Sequence, residues 1–408
     1  MRILFVSNSF PNNLSSSKEP SVGGTQRRLD MLIQALGNIA QLDVLFYVPD
    51  DIEISPGTIA LVEQELSAYW NVKLTLHLCS RFSLPKWRHQ LEGLFDFSKQ
   101  SAFINTRGSE QIQAFEACLD RSPDAIVVQR LQSIYPVLST PLSLPPVFYD
   151  IDDIEHIKLI RQLRQPSIPL AQWLYYLQLP ALWWGERRAI KQATRSFVCS
   201  EGDRHYLSEK WRLPGIVTIP NSISIPASQP ISSDPTLLLL GSYRYPPNAD
   251  AANFLIEEVL PLIQHELPQA RLIIAGGSPE HIRSYEQGAK NVEFTGFVDD
   301  LDELYQRSRV VCCPIFAGGG TRIKMIEAAA YGKPIVATSI GAEGLNMVPD
   351  QDFFLRNTAE DFANGCIRLL NNDELCKKLG SSAREVALKN YDVKNLMKLI
   401  QDQILVSH

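Results

Sequence analysis

The chain has 408 residues, 45% of them hydrophobic, more than a single core usually holds, so two domains with a cleft between them are expected. Its 39 basic and 45 acidic residues leave a net charge of −6 with no long basic block, which argues against a nucleic-acid partner. The seven cysteines (Cys79, Cys118, Cys199, Cys312, Cys313, Cys366 and Cys376) lie mostly in apolar runs without C-x-x-C spacing. They therefore read as small buried hydrophobes of a reducing compartment and not as a zinc or redox site.

The opening run, residues 1–7, is too short for a signal peptide, and no window reaches the ~18 to 20 apolar residues that cross a bilayer, so a cytoplasmic, soluble protein is expected. Short apolar runs then recur at residues 2–9, 42–48, 72–78, 125–129, 147–152, 196–200 and 215–219, with helical stretches between them. That alternation predicts a doubly wound parallel sheet, whose strands are buried on both faces. Strand 147–152 runs into Tyr149-Asp150-Ile151-Asp152-Asp153-Ile154-Glu155-His156. Asp152 or Asp153 could orient an acceptor hydroxyl there, or simply cap the helix that follows. A single acidic run supplies too few converging oxygens for a hard-cation site. Gln129 and Arg130, at the end of strand 125–129, are further candidates to reach an acceptor, and an anionic acceptor would favour Arg130.

Residues 173–184 are rich in aromatics and are followed by Arg187, Arg188 and Lys191. Such a stretch could rest on an anionic membrane face, giving peripheral contact at the inner membrane, although a helix packed between domains has the same look. Glu186, between the tryptophans and the arginines, reads as a solvated helix charge. Residues 222–235 are rich in Ser and Pro and lack periodicity, which predicts a linker between a first domain at 1–221 and a second at 236–389. A second series of apolar runs follows at 236–241, 271–275, 292–295, 310–315, 334–338 and 353–355, and residues 390–408 form a last helix that could pack back on the first domain. Ligands of open α/β sheets bind beyond the carboxyl ends of strands, so the loops after Ser7, Asp150, Gly241, Ala275, Thr295 and Ile315 should meet at the cleft.

The richest segment is 317–334, Ala-Gly-Gly-Gly-Thr-Arg-Ile-Lys-Met-Ile-Glu-Ala-Ala-Ala-Tyr-Gly-Lys-Pro. A helix N-terminus already presents positive charge and unpaired N–H groups, so Arg322 and Lys324 in its first turn call for an anion. Glycines let the backbone approach a bulky ligand and aim N–H groups at its oxygens, which makes this a diphosphate seat. Glu327 falls on the inward face of the same helix. It must either pair with Lys324 at i,i+3 or accept hydrogen bonds from a ligand such as a ribose diol.

With these residues in view, the chain resembles the GT-B glycosyltransferases of the large retaining family 4. The resemblance rests on Gly241-Ser242-Tyr243-Arg244-Tyr245-Pro246-Pro247-Asn248, Ile274-Ala275-Gly276-Gly277, Val292-Glu293-Phe294-Thr295-Gly296-Phe297-Val298, the glycine-to-Glu327 segment, and Gly341-Ala342-Glu343-Gly344-Leu345. In the first half it rests on Gly23-Gly24-Thr25, with Pro220-Asn221 as a hinge signature. It implies an α/β fold of two facing doubly wound, Rossmann-like domains and transfer of a sugar from a nucleotide diphosphate sugar to a hydroxyl acceptor with retention. The acceptor would be a glycan, a lipid-linked glycan or a small molecule, as in polysaccharide biosynthesis.

By the same resemblance Glu327 would bind the ribose, and Gly296, Phe297 and Val298 the nucleobase through backbone groups. Gly318, Gly319, Gly320 and Thr321 would contact sugar and phosphate, and Gly23 and Gly24 would close on the donor from the other domain. Two departures stand out. Gly319 occupies the place of a carboxylate that often touches the donor sugar, and Ser242 and Asn248 occupy the places of the usual Arg and Lys. Phosphate neutralisation is therefore assigned to Arg322 and Lys324, with Arg244 as a supplement, and acceptor orientation to Asp152 and Asp153.

Retaining relatives are thought to use same-face attack, with the departing phosphate taking the proton. No metal, no cofactor beyond the co-substrate and no protein nucleophile is then needed. Two other readings of the scaffold are a non-catalytic nucleotide-sugar-binding subunit, which the loss at Gly319 allows, and a nucleotide-sugar epimerase, which would need acid/base groups not visible here. A dinucleotide oxidoreductase fits poorly, since no G-x-G-x-x-G follows the first strand.

Overall fold

The computed structural model describes residues 1–11, 24–84, 92–94, 96–163, 176–285 and 288–406. The chain divides into two compact units, Met1–Pro220 with Leu396–His408, and Asn221–Asn395.

Among the described residues the first unit has seven parallel strands, β1 (Arg2–Ser7), β2 (Gln41–Val48), β3 (Leu74–Ser80), β4 (Ala125–Gln129), β5 (Val147–Asp152), β6 (Arg195–Val198) and β7 (Ile216–Thr218). Their order is β3-β2-β1-β4-β5-β6-β7. The chain reverses direction across the sheet between β1 and β4, so the loops that leave these two strands diverge and open a crevice at their carboxyl ends. β4 and β5 are buried along their whole length, and helices must therefore cover both faces of the sheet. The helix Val393–Leu405 returns to this unit, where Gln401 donates to the Ala35 carbonyl and Arg195 bonds Gln403.

Among its described residues the second unit has six parallel strands, β8 (Thr236–Leu240), β9 (Arg271–Ala275), β10 (Val292–Gly296), β11 (Val310–Cys313), β12 (Ile335–Ala337) and β13 (Phe354–Leu355), in the order β10-β9-β8-β11-β12-β13. Its reversal lies between β8 and β11, and the helix Ile323–Ala330 follows β11. The Ser/Pro stretch 222–235 lies along this unit. Ile223 bridges Asp392, Lys333 Nζ donates to the carbonyls of Pro230 (2.7 Å) and Ser308 (3.0 Å), and Arg309 reaches the Ser232 carbonyl at 2.9 Å. Burial pushes the Lys333 pKa down to about 8.

All seven cysteines are free and buried. No helix among the described residues is long and apolar enough to cross a membrane.

Candidate functional site

In the second unit, three strand ends are knitted together by their backbones. Gly241 N–H donates to the Ala275 carbonyl, Tyr243 N–H to that of Gly277, and Gly276 N–H to that of Gly296 (2.7 Å). Gly276 has φ of +134°, and a Cβ there would strike the Gly241 carbonyl, so only glycine permits this approach. The floor beside the β8–β11 crevice is thus almost bare backbone.

Lys324 rises over that floor. Its ammonium donates to Asn248 Oδ1 at 2.8 Å, while Asn248 Nδ2 donates to the Ser242 carbonyl at 2.9 Å. Asn248 is one of the positions where a cation was expected and is missing. It instead receives the cation that the helix Ile323–Ala330 supplies. Desolvation lowers the Lys324 pKa; Cys313 and Glu327 oppose the shift and Arg322 adds to it. An ammonium with three donors makes one recorded hydrogen bond among the described residues, which leaves capacity for a ligand.

Arg322 occupies the N-cap position of this helix and provides no side-chain cap. Its guanidinium folds back on its own loop, with Nη1 donating to the Gly319 carbonyl at 2.6 Å and Nη2 to that of Ala317 at 3.3 Å. Nε is buried without a hydrogen-bond partner among the described residues. Arg322 therefore shapes the glycine loop in the first instance. Gly318 (φ +109°) and Gly320 (φ +73°) adopt backbone that side chains avoid, and a Cβ on Gly318 would collide with the Tyr245 hydroxyl and come within 3.1 Å of Arg322 Nη2. Thr321 Oγ1 accepts from Asn221 Nδ2 at 2.9 Å, which ties the loop to the start of the unit. Glu327 is buried on the helix's inward face. Gly296 turns at φ +68° with open space where a side chain would be, Phe297 is exposed, and Val298 packs on the core. Arg244 is exposed in the turn after β8.

The first unit ends its sheet differently. Arg28, on the helix Gly24–Gly37, is fully buried and clasps Asp150 through Nε (2.8 and 2.9 Å) and Nη2 (2.5 Å), with Nη1 on the Ile219 carbonyl at 2.8 Å. Burial works against the charge of Arg28, but Asp150, Cys199 and Asp152 together outweigh it and the pKa is raised. β4 is followed by a charged residue with positive φ, Arg130 at φ +67°, and β5 finishes on another, Asp152 at φ +60°. The ladder between β5 and β6 shifts register between Asp150 and Asp152, which re-aims the second carboxylate. Asp152 Oδ2 lies 3.7 Å from Arg130 Nε. Desolvation, and then the charge of Asp153, push the Asp152 pKa up to about 6 against the pull of Arg28 and Arg130. Strained backbone and a perturbed carboxylate thus coincide at one strand end, a combination that clusters at functional sites.

Asp153 pairs with Lys158 at 3.4 Å. The helix Glu155–Leu163 is capped by Glu186, which accepts from the N–H groups of Glu155 (2.7 Å) and His156 (3.4 Å) and bonds His156 Nδ1 at 2.5 Å. The expectation that Glu186 is a solvated helix charge is overturned, since it is 3% exposed. Its pKa is raised by desolvation, with His156 opposing. His156 also bonds the Tyr206 hydroxyl (2.9 Å) and stacks on Trp211. Sequence reasoning missed Arg28 and gave no role to Asp150 and His156, which lie inside the acidic cluster 149–156. Gly23 lies outside the described residues, and Gly24 opens the helix Gly24–Gly37. No group of three His, Cys, Asp or Glu side chains among the described residues could hold a metal ion.

Comparison with known proteins points the same way as the second unit's geometry. Residues 234–372 match the family model Glycosyl transferases group 1. A phosphatidyl-myo-inositol mannosyltransferase of Mycobacterium leprae is 27% identical over 212 residues, 46% of this chain and 53% of that protein. A 44.6 kDa protein of the Klebsiella pneumoniae cps region is 25% identical over 172 residues, 40% of this chain and 44% of that protein. The chain thus spans about half the length of the curated relatives it matches. Among solved structures, the sucrose-phosphate synthase of Thermosynechococcus elongatus superposes over 100% of both chains with a TM-score of 0.68 at 16% identity. Anabaena HepE, solved in complex with UDP, does so over 100% of both chains with a TM-score of 0.66 at 14% identity. These likenesses establish the GT-B fold of two parallel-sheet α/β domains. It is residues 234–372, in the second unit, that carry the likeness to the glycosyl transferases group 1 family.

Proposed function

We propose that this protein is a retaining glycosyltransferase that moves a sugar from a nucleotide diphosphate sugar to a hydroxyl acceptor without a bound metal. The observation that carries this reading is the start of the helix Ile323–Ala330. Its N–H groups have no side-chain cap, the loop before it is three glycines, and Lys324 stands over the bare backbone at the end of β8. Departure of the nucleotide develops negative charge on the β-phosphate. Fixed N–H dipoles and a partly desolvated cation stabilise that charge more in the transition state than in the ground state.

Arg322 contributes chiefly by holding the loop, and Glu327 takes the ribose hydroxyls. Gly296, Phe297 and Val298 hold the base, with Arg244 as a supplementary cation. On the first unit, Asp152 orients the acceptor hydroxyl. Its raised pKa keeps it a modest base, suited to accepting a hydrogen bond while the departing phosphate takes the proton. The acceptor is a glycan, a lipid-linked glycan or a small molecule.

The test is to incubate the purified chain with a panel of nucleotide sugars and acceptors, with and without EDTA, and to follow nucleotide release and product anomer. Release that survives EDTA and falls about 100-fold in Lys324→Ala supports the reading. Turnover unaffected by that substitution defeats it. Gly319, standing where a carboxylate touches the sugar in the resembled family, favours one second reading, a subunit that binds the nucleotide sugar without transferring it. Tight binding with no release in any acceptor mixture would select that alternative.

A further inference from the structure

The helix Leu179–Gln192 of the first unit carries its only carboxylate, Glu186, on the inward face. Its outward face, with the turn just before it, runs Leu177 (57% exposed), Pro180, Trp183 (41%), then Lys191 and Gln192, with Trp184, Arg187 and Arg188 half-buried along it. The Arg187 guanidinium lies 5.7 Å over the Trp183 ring, and that of Arg188 lies 5.4 Å over Trp184. Phe97, 42% exposed, stands 6.3 Å from Trp184. Trp211 meets Trp183 at 5.2 Å, and next to it Lys210 and Arg212 are exposed. Of the carboxylates nearest in sequence to this patch, Asp96 pairs with Lys99 at 3.3 Å, and Glu209 lies 2.8 Å from His205 Nδ1.

An outward helix face with two indoles, a leucine and three cations but no anion is the reverse of an ordinary solvated face, which carries both signs of charge. Indoles are amphipathic rings that settle at the headgroup level of a bilayer, and each nearby Lys or Arg adds attraction to anionic lipid. A single convex helix face cannot surround a sugar, which tells against a glycan as the occupant. Because the whole chain carries −6, attraction to an anionic surface must come from this local cluster and not from net charge.

We propose that this face docks the protein on an anionic lipid surface, with Trp183 and Leu177 at the acyl boundary and Arg187, Arg188 and Lys191 against lipid phosphates. The proposal stands apart from the transfer reaction and is tested by binding alone.

The full chain is sedimented with phosphatidylcholine vesicles, with and without phosphatidylglycerol, at low and high salt. The expected result is binding to the phosphatidylglycerol vesicles only, released by salt. Trp183→Ser and Lys191→Glu should each weaken it about five- to tenfold, and the thermal melt of Lys191→Glu should be unchanged because that side chain is exposed. Lys389→Glu, an equal charge change on the second unit, should leave binding as it was. No sedimentation, equal binding to phosphatidylcholine, or wild-type binding by both variants overturns the proposal. So does competition by a soluble anionic glycan that leaves vesicles unbound.

Discussion

The two units end their sheets in opposite ways. At the carboxyl edge of the second, Gly241, Gly276, Gly296 and the 318–320 run expose backbone, and charge enters from a helix start through Lys324 and Arg322. At the carboxyl edge of the first, long-range side-chain pairs do the shaping. Arg28 holds Asp150 from 122 positions away, and Glu186 holds His156 from 30. In the proposed function one edge receives an anion on backbone dipoles, and the other makes polar contacts through strained, charged strand ends. A donor seat common to many nucleotide sugars can be conservative backbone, whereas an acceptor site must be tailored with side chains.

The largest effect should separate the two edges by stability. Arg28→Met leaves Asp150 buried and unpaired, and urea melts should show a loss of about 3 to 5 kcal/mol. A loss under 1 kcal/mol would mean that the pair does not anchor the first edge. Next comes Lys324→Ala, which should weaken nucleotide diphosphate binding about 10- to 100-fold while shifting the melt far less, since the cation is only half-buried. Asn248→Ala should do the same to a smaller degree by releasing the ammonium.

Asp152→Asn probes the first edge through pH. The folded pKa of about 6 lies above the ordinary 3.8, so the contribution of Asp152 to stability is present at low pH and is lost as pH rises through about 6. Asparagine also accepts the left-handed backbone. The variant should therefore gain on the wild type by about 2 kcal/mol between pH 4 and pH 8 in paired urea melts. A difference that does not change with pH would remove the perturbed carboxylate from the account. The smallest effect is expected of Gly318→Ala, where the strained φ and the contact with Tyr245 should cost about 1 kcal/mol and weaken donor binding a few-fold, as read by calorimetry.

The same contrast explains what could be read in the sequence. All thirteen strands among the described residues were visible as apolar runs to within a few residues, because most are buried on both faces and so hydrophobic throughout; the edge strands β7 and β10 are only half-buried. The glycine loop and its cations were visible because a backbone site is written in consecutive residues. The family model matches that unit alone, residues 234–372. The partner of Lys324 was not visible, since Asn248 lies 76 positions away and looked like an absence. Glu186 was misread because helix periodicity alone does not say which face of a charged, aromatic helix is covered. Here it is covered by His156 and by the helix start that Glu186 caps.

The most direct measurement is calorimetric titration of a nucleoside diphosphate into the wild type and Lys324→Ala. The account predicts saturable binding by the wild type that the substitution weakens at least tenfold, with both proteins equally folded. Equal affinity in the two, or no binding of any nucleoside diphosphate to the wild type, would contradict it.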